Sequence, residues 1–210
     1  RIRGSDGLLL GSEFQVSSGV VSLVQVGWNP GTNTYLSVFY AATAAVDVRC
    51  IRISNTGGVL GGEINISNDA NYSSYPEVCG AYGTQFLVTW DDEDGGGARN
   101  IRGRTIDAST GTLLGSVINV TSGNGRDRSH TAFDSVNNRY CVQFNDYSVP
   151  GRSYDQAGQI VGVDGSLIGG NFFIASTTVL EGDPAEGGDI AFVPGYQKYF
   201  SVFTWNINMG

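Results

Sequence analysis

Carboxylates stand out among the residues of this sequence that could do chemistry. Asp91, Asp92 and Asp94 lie in one acidic run, and Gly95–Gly97 follow it directly. Oxygen ligands clustered in this way suit a hard cation. The run therefore predicts a metal site made by these three aspartates, with Ca²⁺ as a possible cofactor. A solvated, flexible turn is the alternative, since the run lacks EF-hand spacing.

A second group of polar and aromatic residues falls in or beside the segments predicted to be long loops. These are the candidate ligand-binding residues: Tyr72, Tyr75, Asp127, Arg128, His130, Asp146, Tyr147 and Tyr154. Loop tyrosines suit sugar recognition, because an aromatic ring stacks on the apolar face of a sugar. Loop carboxylates could also supply the acid and the base for glycoside cleavage. Ordinary packing and ion pairing within the loops are the alternatives.

Charge and composition exclude several classes of partner. The 210 residues include 12 basic and 20 acidic side chains, for a formal net charge of −8. Sequence-independent binding of nucleic acid needs a basic face, so nucleic acid is not an expected partner. No apolar run reaches the roughly 18 residues that span a bilayer, and no membrane insertion is predicted. Three widely spaced cysteines without a CxxC motif indicate free thiols, and one disulfide with a spare thiol is the alternative.

An internal repeat organises the whole chain. The segment LLLGSEFQVSS at 8–18 returns at 58–68, 112–122 and 166–176, and its glycines are spaced 50, 54 and 54 residues apart. A second motif, TYLSVFY at 34–40, returns at similar intervals at 85–91, 139–145 and 198–204. Each unit holds four short apolar segments that alternate apolar and polar positions, which is strand chemistry. Four strands per repeat of this length are typical of a β-propeller blade.

The two ends of the chain carry complementary parts of one further repeat. The start matches the third and fourth strands of a blade, and the end matches the first and second. We therefore predict an all-β fold, a four-bladed β-propeller in one domain over 1–210, with blades at 22–68, 75–122, 129–176 and 188–210 joined to 1–18. Joining the ends would remove the exposed strand edges of an open ring.

These motifs allow a resemblance to be stated. A Val-Thr-Trp-Asp-Asp strand end at 88–92, an Ile-Arg-Gly-Arg strand at 101–104 and a Gly-x-Leu-Leu-Gly turn at 111–115 resemble the short propeller repeats of secreted or surface-associated bacterial proteins. The resemblance covers the whole chain and implies a secreted or cell-surface location. Repeats of this kind imply no single activity.

The longer, more variable loops lie on one face of the predicted ring, and binding usually resides in such loops. The sequence therefore favours a non-enzymatic binding module whose partner is a glycan or a protein. The first alternative is a carbohydrate-active hydrolase or lyase that uses Asp91, Asp127 or Asp146. The second is a purely structural repeat of a surface protein. The narrow axial channel of a four-bladed ring could also hold a cation.

Overall fold

Antiparallel sheets make up nearly all of the regular structure. The computed structural model describes residues 2–42, 46–149, 154–176 and 188–204. The first sheet comprises β1 (Val21–Asn29), β2 (Thr34–Ala42), β3 (Val46–Ser54) and β4 (Val59–Asn65). The second comprises β5 (Tyr72–Gly80), β6 (Gln85–Glu93), β7 (Arg99–Asp107) and β8 (Leu113–Asn119).

The later part of the chain forms a third four-stranded sheet and a pair of strands. The third sheet comprises β9 (Arg126–Asp134), β10 (Arg139–Asp146), β11 (Asp155–Gly162) and β12 (Leu167–Ala175). The strands β13 (Gly188–Val193) and β14 (Lys198–Phe203) pair with each other on either side of a short 3₁₀ turn, Pro194–Tyr196. No helix in the described ranges has the length and apolar character needed to cross a membrane.

The first strand of each sheet lies next to the first strand of the following sheet. Contacts join β1 to β5, β5 to β9, and β9 to β13. The sheets are thus arrayed as blades with their first strands innermost, as the repeat predicts. The all-β, propeller-like architecture of four-stranded antiparallel sheets is confirmed.

The core lies between neighbouring sheets, and strand alternation explains how one sheet serves two cores. Successive side chains of a strand point to opposite faces. Along β6, Phe86 and Trp90 join the core shared with the first sheet, whereas Leu87 joins the core shared with the third. All three side chains are fully buried. Each core holds the blades at a fixed angle, and this sets the distance between the loops at their ends.

The predicted joining of the two chain ends is not confirmed. Within the described residues, β14 pairs with β13 alone, and residues 205–210 of the last predicted blade lie outside the described part of the chain. The N-terminal segment forms one isolated bridge, Ile2 to Leu9, and contacts the first sheet instead, where Ser17 Oγ donates to Glu63 over 3.2 Å. The sheets consequently form an open arc.

The N-terminal segment nevertheless has the local conformation of an outer hairpin. Residues 2–18 align without a gap to 106–122, with nine of the seventeen residues identical. The backbone N–H of Arg3 donates to Leu8 O, and that of Gly7 to Arg3 O. In the β7–β8 turn, the N–H groups of Asp107 and Gly111 make the same two bonds at the same spacing.

Candidate active site

A bulge at one repeated position shapes the inner strands where they enter the long-loop end of the sheets. This end, here called the loop face, is where β5 and β9 begin and β6 and β10 end. Leu23, Tyr75 and Arg128 have φ values of 49°, 50° and 55° in β1, β5 and β9, each beside a shift in strand register. Left-handed backbone costs a non-glycine residue about 1–2 kcal/mol. Bulges of this kind re-aim side chains.

Two of these residues meet across the gap between neighbouring blades. The guanidinium carbon of Arg128 lies 3.2 Å from the centroid of the Tyr75 ring. Arg99, at the start of β7, approaches the same ring at 5.9 Å. A cation over an aromatic face is attracted by the ring quadrupole. The bulges therefore bring an arginine and a tyrosine from separate sheets into one stack.

Asp91, near the end of β6, lies against this stack and is 1% exposed. Its Oδ1 accepts the backbone N–H of Arg128 at 2.9 Å. Its Oδ2 lies 3.9 Å from Nη1 of Arg128 and has no hydrogen-bond partner among the described residues. Burial, and then the charge of Asp127, raise the pKa of Asp91 well above its ordinary value, against the opposing effect of Arg128 and Arg99.

Asp127, near the start of β9, is the second buried carboxylate of the site and is 4% exposed. Its Oδ1 accepts a hydrogen bond from Asn145 Nδ2 at 3.1 Å, and its Oδ2 lies 3.8 Å from Nη1 of Arg99. Burial raises the pKa of Asp127, while the hydrogen bond from Asn145 and the charges of Arg128 and Arg99 oppose that rise. Two carboxyl groups in unequal surroundings ionise over different pH ranges.

A pair of tyrosines borders the carboxylates. The ring centroids of Tyr147 and Tyr154 are 4.9 Å apart, with the planes tilted by 49°. Burial and the nearby charge of Asp127 raise the pKa of Tyr147 to about 12, so its hydroxyl remains protonated over the working pH range. The pair offers partly exposed aromatic surface next to acid groups, an arrangement that suits a sugar ring.

One further repeated position lies two residues after the bulges in the first strands. Gln25, Glu77, His130 and Asp189 each pair with the fifth residue of the second strand in their own sheet. Gln25, Glu77 and His130 line a cavity of about 160 Å³, together with Leu23, Tyr75 and Arg128. Burial, and then the charge of Asp189, raise the pKa of Glu77 to about 7.

The acidic run does not converge on one point. Neighbours in β6 point to opposite faces, so Asp92 turns away from Asp91 and accepts a hydrogen bond from Arg102 at 3.1 Å. Asp94 accepts the backbone N–H of Gly96 in an exposed turn. Within the described ranges, no group of three or more His, Cys, Asp or Glu side chains is arranged to hold a metal ion.

Two of the other predicted residues lie apart from the carboxylate pair. Asp146 accepts hydrogen bonds from Arg126 Nε at 3.2 Å and from the backbone N–H of Ser148 at 2.9 Å, which is a structural role. Tyr72 pairs with Glu93 at the start of β5 and is 43% exposed.

The sequence interpretation missed Arg99, Asn145 and Glu77. Arg99 and Asn145 stand at strand ends, where no sequence motif sets them apart. Glu77 occupies the same repeat position as His130, so comparing units residue by residue would have exposed it.

The fold has counterparts among solved structures. No protein-family model matches the sequence, and no curated protein matches it. An α-L-arabinofuranosidase from Fusarium graminearum, solved with an iminosugar inhibitor, is similar with a TM-score of 0.60 and 12% identity, over 86% of this chain and 58% of that one. A thermostable family-43 glycoside hydrolase is similar with a TM-score of 0.54 and 9% identity, over 89% of this chain and 66% of that one. An endo-arabinase from Bacteroides thetaiotaomicron is similar with a TM-score of 0.53 and 12% identity, over 89% of this chain and 75% of that one.

These similarities correct one expectation from the sequence. The chain spans less than two thirds of the length of the first two proteins, and identities of this size establish a shared fold alone. All three are nevertheless glycoside hydrolases by description. That finding contradicts the prediction of a non-enzymatic binding module and favours the hydrolase that the sequence offered as an alternative.

Proposed function

We propose that this chain carries the acid–base site of a glycoside hydrolase at its loop face. The observation that carries the proposal is the pair of buried aspartates, Asp91 and Asp127, on neighbouring sheets. They interact with the same two arginines, Arg99 and Arg128. Buried acid pairs with displaced pKa values are concentrated at functional sites, and glycoside cleavage uses two carboxyl groups in unequal surroundings.

The surroundings support a different role for each aspartate. Asp91 is the more buried and has a raised pKa, so it holds a proton and donates it to the glycosidic oxygen as the bond from that oxygen to the anomeric carbon breaks. Asp127 receives a hydrogen bond from Asn145, which favours its ionised form. It takes a proton from the water whose oxygen bonds to the anomeric carbon. Proton exchange with solvent then restores both groups.

The surrounding residues indicate a sugar as substrate. Tyr147 and Tyr154 offer ring surface for stacking, and Arg128 and Arg99 can orient hydroxyl groups. The similar structures include enzymes described as acting on arabinose-containing glycans, and arabinan and aryl α-L-arabinofuranosides are accordingly the first substrates to test. A glycan bound at this surface would be the partner that the sequence predicts.

The test is release of reducing sugar from a panel of arabinan, arabinoxylan and xyloglucan. Asp91→Asn and Asp127→Asn should each lower the rate at least about 100-fold, because general acid–base catalysis contributes about 10²–10⁴. Asp94→Asn is the matched control, since Asp94 is an exposed member of the same acidic run and should leave the rate unchanged. Absence of release above a no-protein blank across the panel overturns the proposal.

We also propose that the arc closes into four blades by docking the N-terminal hairpin beside β14. Phe200 and Val202 of β14 are 64% and 63% exposed, whereas Leu36 and Val38, at the same positions of β2, are fully buried. A cavity of about 510 Å³ between the hairpin and the first sheet is lined mainly by apolar side chains: Ile2, Leu10, Phe14, Val26, Tyr35 and Ile53, with Ser54, Asn55 and Gly57. Phe200 and Val202 are the side chains that would fill it.

A further inference from the structure

A chain of side-chain hydrogen bonds runs from β14 to the loop face through the third sheet. It begins where Ser201 Oγ donates to Gln143 Oε1 at 2.6 Å. Gln143 Nε2 donates to Gln156 Oε1 at 2.9 Å, and Gln156 Nε2 donates to Asn145 Oδ1 at 2.5 Å. Asn145 Nδ2 then donates to Asp127 Oδ1 at 3.1 Å. We call these four donors, Ser201, Gln143, Gln156 and Asn145, the amide relay.

The relay has a single direction. Each of its three amides accepts through its oxygen and donates through its nitrogen, and the last acceptor is a carboxylate. Gln143, Asn145 and Gln156 are fully buried, so neighbouring bonds polarise one another in a medium of low dielectric constant. Polarisation of this sense strengthens the last bond, the one that Asp127 accepts.

The other sheets serve as an internal comparison. Gln143 occupies the position of Val38 in β2 and Thr89 in β6, the fifth residue of each second strand. Gln156 pairs with Asn145 as Ile101 pairs with Asp91. Burying an amide is unfavourable unless its hydrogen bonds are satisfied. The third sheet thus carries two glutamines where the other sheets carry apolar or smaller side chains, and packing alone does not call for them.

We propose that the amide relay is a set of positioning residues that holds Asp127 ionised and correctly oriented, and that the contact between β14 and the third sheet is therefore part of the active site. The inference rests on the proposed hydrolase for its catalytic meaning. The relay itself can be tested without any substrate.

Other charged and titratable groups also face Asp127 and must be kept constant in the test. They are Asp91 on β6, Arg99 on β7, Arg128 on β9, and Tyr147 and Tyr154 at the border of the site. None of them is altered in the variants below. Gln156 and Ser201 make no direct hydrogen bond to Asp127 within the described structure, so a change at Asp127 in their variants reports transmission along the relay.

The experiment is a pH titration of the Asp127 carboxyl carbon by NMR, with Asp127→Asn to assign the signal. Gln156→Leu should raise the pKa of Asp127 by a few tenths of a unit, because it leaves Asn145 Oδ1 without its donor and so weakens, without removing, the hydrogen bond that Asp127 accepts. Ser201→Ala should raise it by a smaller amount, and Ser201→Thr, which keeps the hydroxyl, should restore the wild-type value.

Two matched controls separate the relay from general damage. Ser37→Ala removes a buried serine at the same position of β2, and Gln159→Leu removes a buried β11 amide that accepts from Asn171 instead. Both should leave the pKa of Asp127 unchanged. If Gln156→Leu fails to fold, Ser201→Ala tests the relay from its first donor, the residue farthest from Asp127 along the chain of hydrogen bonds. An unchanged pKa of Asp127 in the folded relay variants overturns the relay.

A second measurement connects the relay to catalysis. If the chain hydrolyses a glycan, Ser201→Ala should move the acidic limb of its pH–rate profile to higher pH, because Asp127 must lose its proton to act. If the pKa of Asp127 shifts in the relay variants but the protein has no hydrolase activity, the relay stands and the proposed function is rejected. If the pKa does not shift but the protein is an active hydrolase, the proposed function stands and the relay is rejected.

Discussion

The backbone N–H of Arg128 donates to Oδ1 of Asp91 over 2.9 Å from a residue in the left-handed region, with φ of 55°. A strand from the third sheet thus fixes a carboxyl group near the end of a strand of the second. The same bulge places the guanidinium over Tyr75. One strained residue therefore sets both the position and the electrostatic surroundings of Asp91.

Replacing the strained residues by glycine separates backbone relief from side-chain contacts. Leu23→Gly and Arg128→Gly remove the same left-handed strain of about 1–2 kcal/mol, and both add the flexibility of glycine. Arg128→Gly also loses the cation–π contact, which contributes about 0.5–2 kcal/mol. We expect Arg128→Gly to fall about 0.5–2 kcal/mol below Leu23→Gly in the free energy of unfolding, measured with urea. Equal values for the two variants would show that the Tyr75 stack contributes no stability.

Glu77 should make stability depend on pH. Burial and the charge of Asp189 raise its pKa from 4.5 to about 7 in the folded chain. Its contribution to stability is complete below pH 4.5 and is lost as the pH rises through 7, because the unfolded chain then releases the proton more readily. The free energy of unfolding should therefore decrease between pH 5 and 8 by about 1–3 kcal/mol less in Glu77→Gln than in the wild-type chain.

The control for this prediction is Glu63→Gln, since Glu63 is a partly exposed glutamate that pairs with Arg49. It should leave the slope between pH 5 and 8 as it is in the wild-type chain. A wild-type chain whose stability does not change across that interval would contradict the prediction.

The aromatic pair at the border of the site should affect substrate affinity more than rate. Tyr154→Ala removes a stacking surface, and the loss of about 0.5–1.5 kcal/mol corresponds to a roughly 2- to 12-fold higher KM. Tyr196→Ala is the matched control, because Tyr196 is 75% exposed in the β13–β14 turn, at the opposite end of its strands. A fall in kcat without a change in KM would assign Tyr154 a role other than stacking.

Closure of the ring can be measured with a disulfide. In the second sheet, Phe86 of β6 pairs with Ile106 of β7, and the same register places Ile2 beside Tyr199. Oxidation of an Ile2→Cys/Tyr199→Cys double variant should give a cross-link within one molecule, seen as a monomer of altered mobility under denaturing electrophoresis. The Ile2→Cys/Phe200→Cys pair should cross-link poorly, because Phe200 points to the other face.

Either of two results would reject closure within one chain. A covalent dimer would mean that the hairpin docks on a second copy. Equal cross-linking of both pairs would mean that the N-terminal segment has no fixed register on β14.

The strands and their pairing could be predicted from the sequence because a period of two is visible in every repeat, as in Phe86, Val88 and Trp90. Closure was predicted from the same pattern, and the structure leaves the seam open, since sequence similarity identifies a hairpin without fixing what it docks against. The Arg3–Leu8 and Asp107–Thr112 turns make the same backbone hydrogen bonds. The local sequence therefore determines the conformation of the hairpin but not its position.

The site was predictable in part. Asp127 and Arg128 were identified as ligand-binding candidates because they lie next to a variable loop. Asp91 and Asp92 were grouped because they are adjacent, although alternation in β6 sends them to different partners. Asn145 and Gln156 could not be found from single positions, because a buried amide is recognised only when its partners in other strands are known.

The left-handed position at Leu23, Tyr75 and Arg128 has a consequence for how such a protein acquires specificity. The backbone adopts the same unusual turn whether the residue is aliphatic, aromatic or cationic, so side chains can be exchanged there without inventing new loop geometry. Leu23 brings no polar group to the cavity that it lines with Tyr75 and Arg128. A polar residue substituted at this position would add a contact from the first sheet to any ligand bound there.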